Sequence, residues 1–328
     1  MKAIAQDAYG SADGLELRDI ARPVPRDKEV LVKVRAAGVD PSILHLMTGK
    51  PYIARLALGL RKPRNPVRGW DVAGVVETVG AKVTSFQPGD EVFGSGDGSF
   101  AEYTCARADK LAPRPGNLTF EQAAALPVSG VTAYQALSGK AHPAPEQKVL
   151  VIGASGGIGT YAIQLAVSYG AEVTAVCGPG KADFVRALGA TEVIDYTSQE
   201  ITAGKHLFDI VLDAAGNRPL SLLRRVLAPK GVLVMAGGEG GGEWLGGLGR
   251  QLRGYALSPF LGQTLSSLIA VVRHKDLLTL KRLAEAGTIA PAIDRTYPFS
   301  EAVSAIKHLE TGHPRGKLVV TMSSAPAT

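Results

Sequence analysis

Between residues 149 and 160 the chain reads Val-Leu-Val-Ile-Gly-Ala-Ser-Gly-Gly-Ile-Gly-Thr, an apolar run followed by a turn of small residues. Such a turn lets backbone N–H groups come close to a ligand, and a helix starting near Ile158 would point its positive end at the same place. Three chemistries fit these residues. Ala154-x-Gly156-x-x-Gly159 matches a fingerprint for a dinucleotide pyrophosphate, with alanine in the first glycine slot. Gly153-x-x-x-Gly157-Ile158-Gly159 is a second spacing that seats the same group. Gly153-Ala-Ser155-Gly-Gly157 matches a nucleophile elbow, in which Ser155 would attack an acyl carbon. A plain turn between strand and helix is the fourth possibility, but it seldom needs so many glycines.

Residues elsewhere separate these readings. A short-chain reductase needs Tyr-x-x-x-Lys for proton transfer, and none of the nine tyrosines has a lysine four residues on. A serine hydrolase would need an acid and a histidine besides Ser155. His308 or His313 could serve, but the glycine run on to Gly159 would then have no purpose. The dinucleotide reading stands, with Ala154, Ser155, Gly156, Gly157 and Ile158 as the pyrophosphate seat and Ser155 as a hydrogen-bond donor. About 20 residues further on, an NAD site carries an acid for the ribose hydroxyls. Here that place reads Val176-Cys-Gly178-Pro-Gly-Lys181, without an acid. Removing the carboxylate and adding Lys181 suits a 2′-phosphate, so NADPH is expected, with Gly178 and Lys181 as contacts. The alternative for Lys181 is an ordinary charged residue in a helical first turn.

These residues need a scaffold, and 328 residues are enough for two domains. Residues 1–120 read as short β-segments separated by Gly, Pro and Asp, among them Glu29–Arg35, Asp71–Val79, Asp90–Phe93 and Phe100–Cys105. Residues 121–265 alternate between strands and helices, the pattern of a parallel sheet covered on both faces. Residues 266–328 hold a helix over Asp276–Ala286 and a strand over Lys317–Thr321, expected to return to the first domain. The formal net charge of +6 comes without a long basic run or a basic–aromatic stripe, so no nucleic-acid partner is expected. The densest basic stretch, Arg61, Lys62, Arg64 and Arg68, reads as a solvated loop. Two scattered cysteines suit a reducing cytoplasm. The N-terminus reads as a first strand, and no run of about 18 apolar residues predicts a membrane span.

The ordered motifs resemble one family. Ala36-Ala-Gly-Val-Asp-Pro41, Gly69-Trp-Asp-Val-Ala-Gly-Val-Val-Glu77, Gly89-Asp-Glu-Val-Phe-Gly94 and Ala123-Ala-Ala-Leu-Pro-Val-Ser-Gly-Val-Thr-Ala133 are four of them. Leu188-Gly-Ala-Thr-Glu-Val-Ile-Asp-Tyr196, Asp213-Ala-Ala-Gly-Asn217 and Arg315-Gly-Lys-Leu-Val-Val320 complete the set. Together they resemble the medium-chain dehydrogenase/reductases, in the zinc-free quinone oxidoreductase-like branch. The resemblance implies an α/β fold: an N-terminal GroES-like β-barrel domain and a Rossmann domain with a doubly wound parallel sheet. Zinc relatives use a Cys after the first Gly-Val and a Gly-His-Glu in the second block. Asp40 and Gly69-Trp70-Asp71 stand there instead, and a four-cysteine lobe is missing, so no metal is expected.

What the resemblance then implies is hydride transfer from nicotinamide C4 to a quinone, enone or aldehyde. It implies that Thr132 contacts the nicotinamide, that Tyr196 lies near the adenosine phosphate, and that Asn217, Gly237 and Lys317 belong to the cofactor site. Relatives often carry Asn-Pro-x-Asp where this chain has Asp40-Pro-Ser-Ile43, so the later acid is lost. Asp40 and Tyr52 are the catalytic candidates, Tyr52 as a proton donor, with water as the alternative source and ring packing as the alternative role for Tyr52. Residues 52–70 and 237–260 are expected to line the acceptor pocket, the glycine-rich 237–249 stretch serving as a lid. A homodimer through the nucleotide domains is expected by analogy. A dinucleotide-binding protein without turnover is the competing function.

Overall fold

The computed structural model describes residues 1–204, 207–238 and 242–322. The first part of the chain forms β1 (Lys2–Ala5), β2 (Glu16–Asp19), β3 (Glu29–Val39), α1 (Ser42–Thr48), α2 (Arg55–Leu58), β4 (Asp71–Val79), β5 (Glu91–Ser95), β6 (Tyr103–Arg107), β7 (Leu111–Pro113), α3 (Phe120–Ala124) and α4 (Pro127–Ala136). The middle alternates: β8 (Lys148–Ile152), α5 (Gly157–Ser168), β9 (Glu172–Cys177), α6 (Ala182–Ala187), β10 (Glu192–Asp195), β11 (Phe208–Asp213), α7 (Leu220–Arg225), β12 (Leu227–Met235), α8 (Leu248–Leu257) and β13 (Thr264–Ser267). The chain ends with α9 (His274–Glu285), β14 (Ile293–Pro298), α10 (Ala302–Glu310) and β15 (Lys317–Thr321).

Two compact units result, Met1–Val131 with Val271–Thr328, and Thr132–Ala270. The first is organised by β3, whose Val30, Val32 and Val34 alternate into the core as a pleated strand requires. One edge of β3 pairs with β4. Its other edge pairs with β6 over residues 29–33 and with β15 over residues 36–39. The second unit holds a six-stranded parallel sheet in the order β10-β9-β8-β11-β12-β13. Strands β8 and β11 lie at its centre, and Val149–Ile152 are fully buried. A parallel strand covered on both faces has no polar side to show, which is why β8 reads as an unbroken apolar run.

Several boundaries shift from those expected. Residues 121–131 belong to the first unit, because α3 packs on β3 and β4 and Val128 N–H donates to Asp71 at 2.9 Å. Residues 266–270 stay with the second unit, because β13 pairs with β12 and Leu268 N–H donates to the Met235 carbonyl. The strand expected from Phe100 starts at Tyr103, since the Phe100 carbonyl and Glu102 N–H bond to β1 instead. Thr119 caps α3 through a capping box with Gln122. The helices α1, α8 and α10 and the strands β13 and β14 had no expectation attached to them.

Candidate functional site

The strand order of the second unit places the turn after β8 beside a reversal of direction. From β8 the chain winds outward through β9 to β10, then returns to β11 on the other side and winds outward again. The loops on either side of such a switch point diverge and leave room for a ligand at the carboxyl ends of the strands. Gly153 leaves β8 with φ +79°, which glycine adopts without strain. Ala154 N–H then donates to the Val176 carbonyl, which ties the turn to β9. Gly156 is the N-cap of α5, contributes no side-chain cap, and the first turn carries no acid. The leading amides of this twelve-residue helix thus face outward with the helix dipole behind them. A Cβ on Gly159 would lie 2.3 Å from the Gly153 carbonyl oxygen, so only glycine lets helix and turn approach this closely. Ser155 is buried, and its Oγ makes no hydrogen bond to a described residue.

At the end of β9, a Cβ on Gly178 would lie 3.1 Å from the Tyr196 hydroxyl. The two residues are neighbours because Tyr196 follows β10, whose Asp195 pairs with Cys177. Lys181 is half-buried at the start of α6, where its carbonyl accepts from Val185 N–H. Burial pushes the Cys177 thiol above its ordinary range, and Asp195 adds to the rise, so this cysteine stays protonated and inert. Asp195 comes beside the end of β9 only through strand register, which residue spacing along the chain does not show. Its Oδ1 accepts from Thr197 N–H at 2.9 Å and Thr197 Oγ1 at 2.7 Å, which occupies the acid locally.

The ends of β11 and β12 carry a second feature absent from the expectations. Asp213 is fully buried, and its carboxylate accepts from Gly216 N–H at 2.9 Å and from Arg250 at 2.5 Å. Arg250 also donates to the Arg218 carbonyl at 3.0 Å. This pair shapes the loop that displays Asn217, which is exposed, while Gly237 packs where a Cβ would meet the Ala214 carbonyl oxygen at 2.5 Å. The 237–249 stretch expected as a lid includes residues 239–241, which lie outside the described residues. The carboxyl ends of β8, β9, β11 and β12 therefore bring together Ala154–Ile158, Gly178, Lys181, Tyr196, Asn217 and Gly237. Thr132 is buried in α4.

In the first unit, Lys317 is only 2 % exposed and donates to Asp71 Oδ2 at 3.1 Å. Lys317, expected at the cofactor site, holds its ammonium on this buried carboxylate. Asp71 is itself fully buried, and its other oxygen accepts from Val128 N–H. Burial pushes the Asp71 carboxyl up to about 6, against the pull of Lys317, and nearby Asp40 raises it further. Asp40 is buried, and its Oδ1 accepts from Ser42 N–H at 2.9 Å, which ties the loop to the start of α1. Tyr52 is half-buried in a short 3₁₀ turn, with the Arg55 guanidinium 4.7 Å from its ring centre. His45 Nδ1–H donates to the Lys50 carbonyl at 2.8 Å, tying the loop after α1. The solvated-loop expectation fails for Arg68, which is 3 % exposed and donates to the carbonyls of Leu46, Asn65 and Pro66. It pins the 65–68 backbone to α1.

His308, once a possible partner for Ser155, gives its ring to the Tyr297 hydroxyl at 2.8 Å and approaches Asp294 at 3.7 Å. Among the described residues no group of three or more His, Cys, Asp or Glu could hold a metal ion. No described helix is long and apolar enough to cross a membrane.

Comparison with known proteins agrees with this geometry. Residues 26–116 match the alcohol dehydrogenase GroES-like domain, and residues 188–320 match a domain described as zinc-binding dehydrogenase. The chain is 34 % identical to a tomato (Solanum lycopersicum) 2-methylene-furan-3-one reductase, over 98 % of this chain and 79 % of that protein. Among solved structures, the quinone oxidoreductase from Coxiella burnetii superposes with a TM-score of 0.88 at 30 % identity, covering 98 % of this chain and 99 % of that one. The Escherichia coli quinone oxidoreductase in complex with NADPH gives a TM-score of 0.81 at 25 % identity, covering 98 % and 100 %. With a GroES-like unit, a Rossmann unit of this strand order and relatives matched along almost its whole length, the chain belongs to the medium-chain dehydrogenase/reductases, in their quinone oxidoreductase-like branch.

Proposed function

We propose that this protein is a zinc-independent, NADPH-dependent oxidoreductase that passes hydride to a quinone, an enone or a related carbonyl such as an aldehyde. The observation that carries the reading is the bare, glycine-capped start of α5 at the switch point of the parallel sheet. Bound there, the nicotinamide dinucleotide supplies the hydride. The amides of Gly157 and Ile158, with Ser155 Oγ, hold the pyrophosphate against the helix dipole. Asn217 and Gly237 border the nicotinamide end, and Thr132 completes the contact. Lys181 supplies the positive charge for a 2′-phosphate, with Gly178 and Tyr196 beside it.

Zinc does not fit the residues present. A catalytic zinc site needs thiolate, imidazole or free carboxylate donors. Here Asp71 is bound by Lys317 and Val128 N–H, and Asp40 is bound by Ser42 N–H. Charge developing on the acceptor oxygen must then be met by hydrogen bonding. Quinones and enones suit that demand because they spread the charge over several atoms. Tyr52 is the proposed proton donor, and Asp40 positions the loop that carries it. Two free cysteines support a reducing setting such as the cytoplasm, and the open edge of β13 supports a homodimer.

The test is NADPH oxidation with purified protein and a panel of quinones, enones and aldehydes. Cofactor binding without turnover on the whole panel would favour the non-catalytic reading. Two substitutions are informative within it. Lys181→Glu is expected to weaken NADPH binding by about tenfold or more while leaving NADH nearly unchanged, read by fluorescence titration. Equal losses for both cofactors would remove Lys181 from the phosphate site. Tyr52→Phe is expected to lower kcat by about tenfold to a hundredfold. An unchanged kcat would leave water as the proton source.

A further inference from the structure

Tyr52 lies in a short 3₁₀ turn, and proton transfer from a turn requires that the ring be held in one place. The side chain of Arg55, three residues on at the start of α2, lies over that ring. Its guanidinium carbon is 4.7 Å from the Tyr52 ring centre and 4.5 Å from the ring centre of Tyr9. Lys50 Nζ stands 6.0 Å from the Tyr52 ring, at the limit of such a contact. Arg55 also reaches back to α1: its Nε donates to the Gly49 carbonyl at 3.0 Å and its Nη2 to the Thr48 carbonyl at 3.4 Å. Both carbonyls stand at the end of that helix, where no further turn satisfies them and the dipole is negative.

Tyr9 is fixed in turn. Its hydroxyl donates to the Gly59 carbonyl at 2.7 Å, and a Cβ on Gly49 would lie 2.7 Å from its ring. Gly10 N–H, one residue on, donates to the Met47 carbonyl at 3.0 Å. Met47 and Ile43 anchor α1 in the core of this unit. A cation over an aromatic face is a weak contact when both side chains must first be ordered. A guanidinium already held by two carbonyls and a second ring has met most of that cost. Arg55 thus couples the turn of Tyr52 to a helix that the core holds rigid.

We propose that Arg55 is a positioning residue for the reduction: it holds the Tyr52 ring where the hydroxyl meets the acceptor oxygen, and Tyr9 steadies the guanidinium. The proposal rests on the reading of Tyr52 as proton donor. Lysine at this position would keep the charge but lack the planar fork that engages both carbonyls.

Steady-state kinetics of the full-length protein with NADPH and 1,4-naphthoquinone tests it. Arg55→Met is expected to lower kcat and kcat/KM together by about tenfold, with KM for the quinone within about twofold of wild type. A general loosening of the loop would instead raise KM. Arg55→Lys is expected to lose only about threefold. The double variant Tyr52→Phe/Arg55→Met is expected to be no slower than Tyr52→Phe alone, because no hydroxyl is left to position. Circular dichroism and NADPH titration check folding, and Arg55→Lys takes the place of Arg55→Met in the cycle if the latter unfolds. Losses that multiply in the double variant would overturn the positioning role alone. So would wild-type kcat in Arg55→Met beside an impaired Tyr52→Phe. Wild-type kcat in Tyr52→Phe would overturn the donor reading, and the proposal with it.

Discussion

Replacing Lys317 by Met is expected to destabilise this protein by about 3–5 kcal/mol at neutral pH, because it leaves a buried carboxylate without its counter-charge. The pair is enclosed, with side-chain exposures of 2 % for Lys317 and 0 % for Asp71. Methionine fills much the same space as the lysine stem, so the loss is electrostatic rather than a cavity. Adding Asp71→Asn should recover most of it, since the amide oxygen still accepts from Val128 N–H and no charge remains unpaired. Urea unfolding of the wild type, both single variants and the double variant measures the coupling. A Lys317→Met protein within about 1 kcal/mol of wild type would mean that the pair contributes little.

The pH dependence has a definite sign. Burial holds the Asp71 carboxyl near 6 in the folded protein, above the ordinary 3.8. A carboxyl raised in this way favours the folded state fully below its unfolded value, and that contribution is lost as pH rises through about 6. Without Lys317 the carboxyl rises further, so the loss extends to higher pH. The deficit of Lys317→Met relative to wild type should therefore grow between about pH 5 and pH 8.

Gly159→Val is expected to weaken dinucleotide binding by about a hundredfold or more, equivalent to about 2.7 kcal/mol. Its Cβ would stand 2.3 Å from the Gly153 carbonyl oxygen and 2.6 Å from Ala154 Cα. Both are backbone atoms, so relief requires the start of α5 to move away from the turn. That shift misaligns the amides that hold the pyrophosphate. Ser155→Ala, which removes one donor and keeps the backbone, is expected to lose only about tenfold. Fluorescence titration with NADPH ranks the two. Gly159→Val binding as tightly as wild type would take the cofactor off this turn.

The expectations that held are those resting on local rules. The strands Asp71–Val79 and Lys317–Thr321 lie where alternation or an apolar run placed them. The strand–turn–helix at Gly153–Gly159 follows from neighbouring residues alone. The helices α8 and α10 carried no expectation although both are amphipathic, and α8 follows a glycine-rich stretch with the composition of a loop. Arg68 was misplaced for another reason. Proline and basic neighbours make a stretch look solvated, yet its guanidinium satisfies three carbonyls at once and is worth burying.

The glycine turn, the want of an acid after β9 and the loss of zinc donors could all be read along the chain, because each depends on residue types within a short span. Which charges meet could not. Asp71 and Lys317 stand 246 positions apart and touch only because β15 and β4 both pair with β3. Asp213 finds Arg250 through the packing of α8 beyond β12, and Asp195 reaches Cys177 through strand register. Turn geometry and periodicity are set by neighbours a few bonds away. A buried charge takes its partner from whatever the sheet order carries alongside it, and that order exists only once the chain has folded.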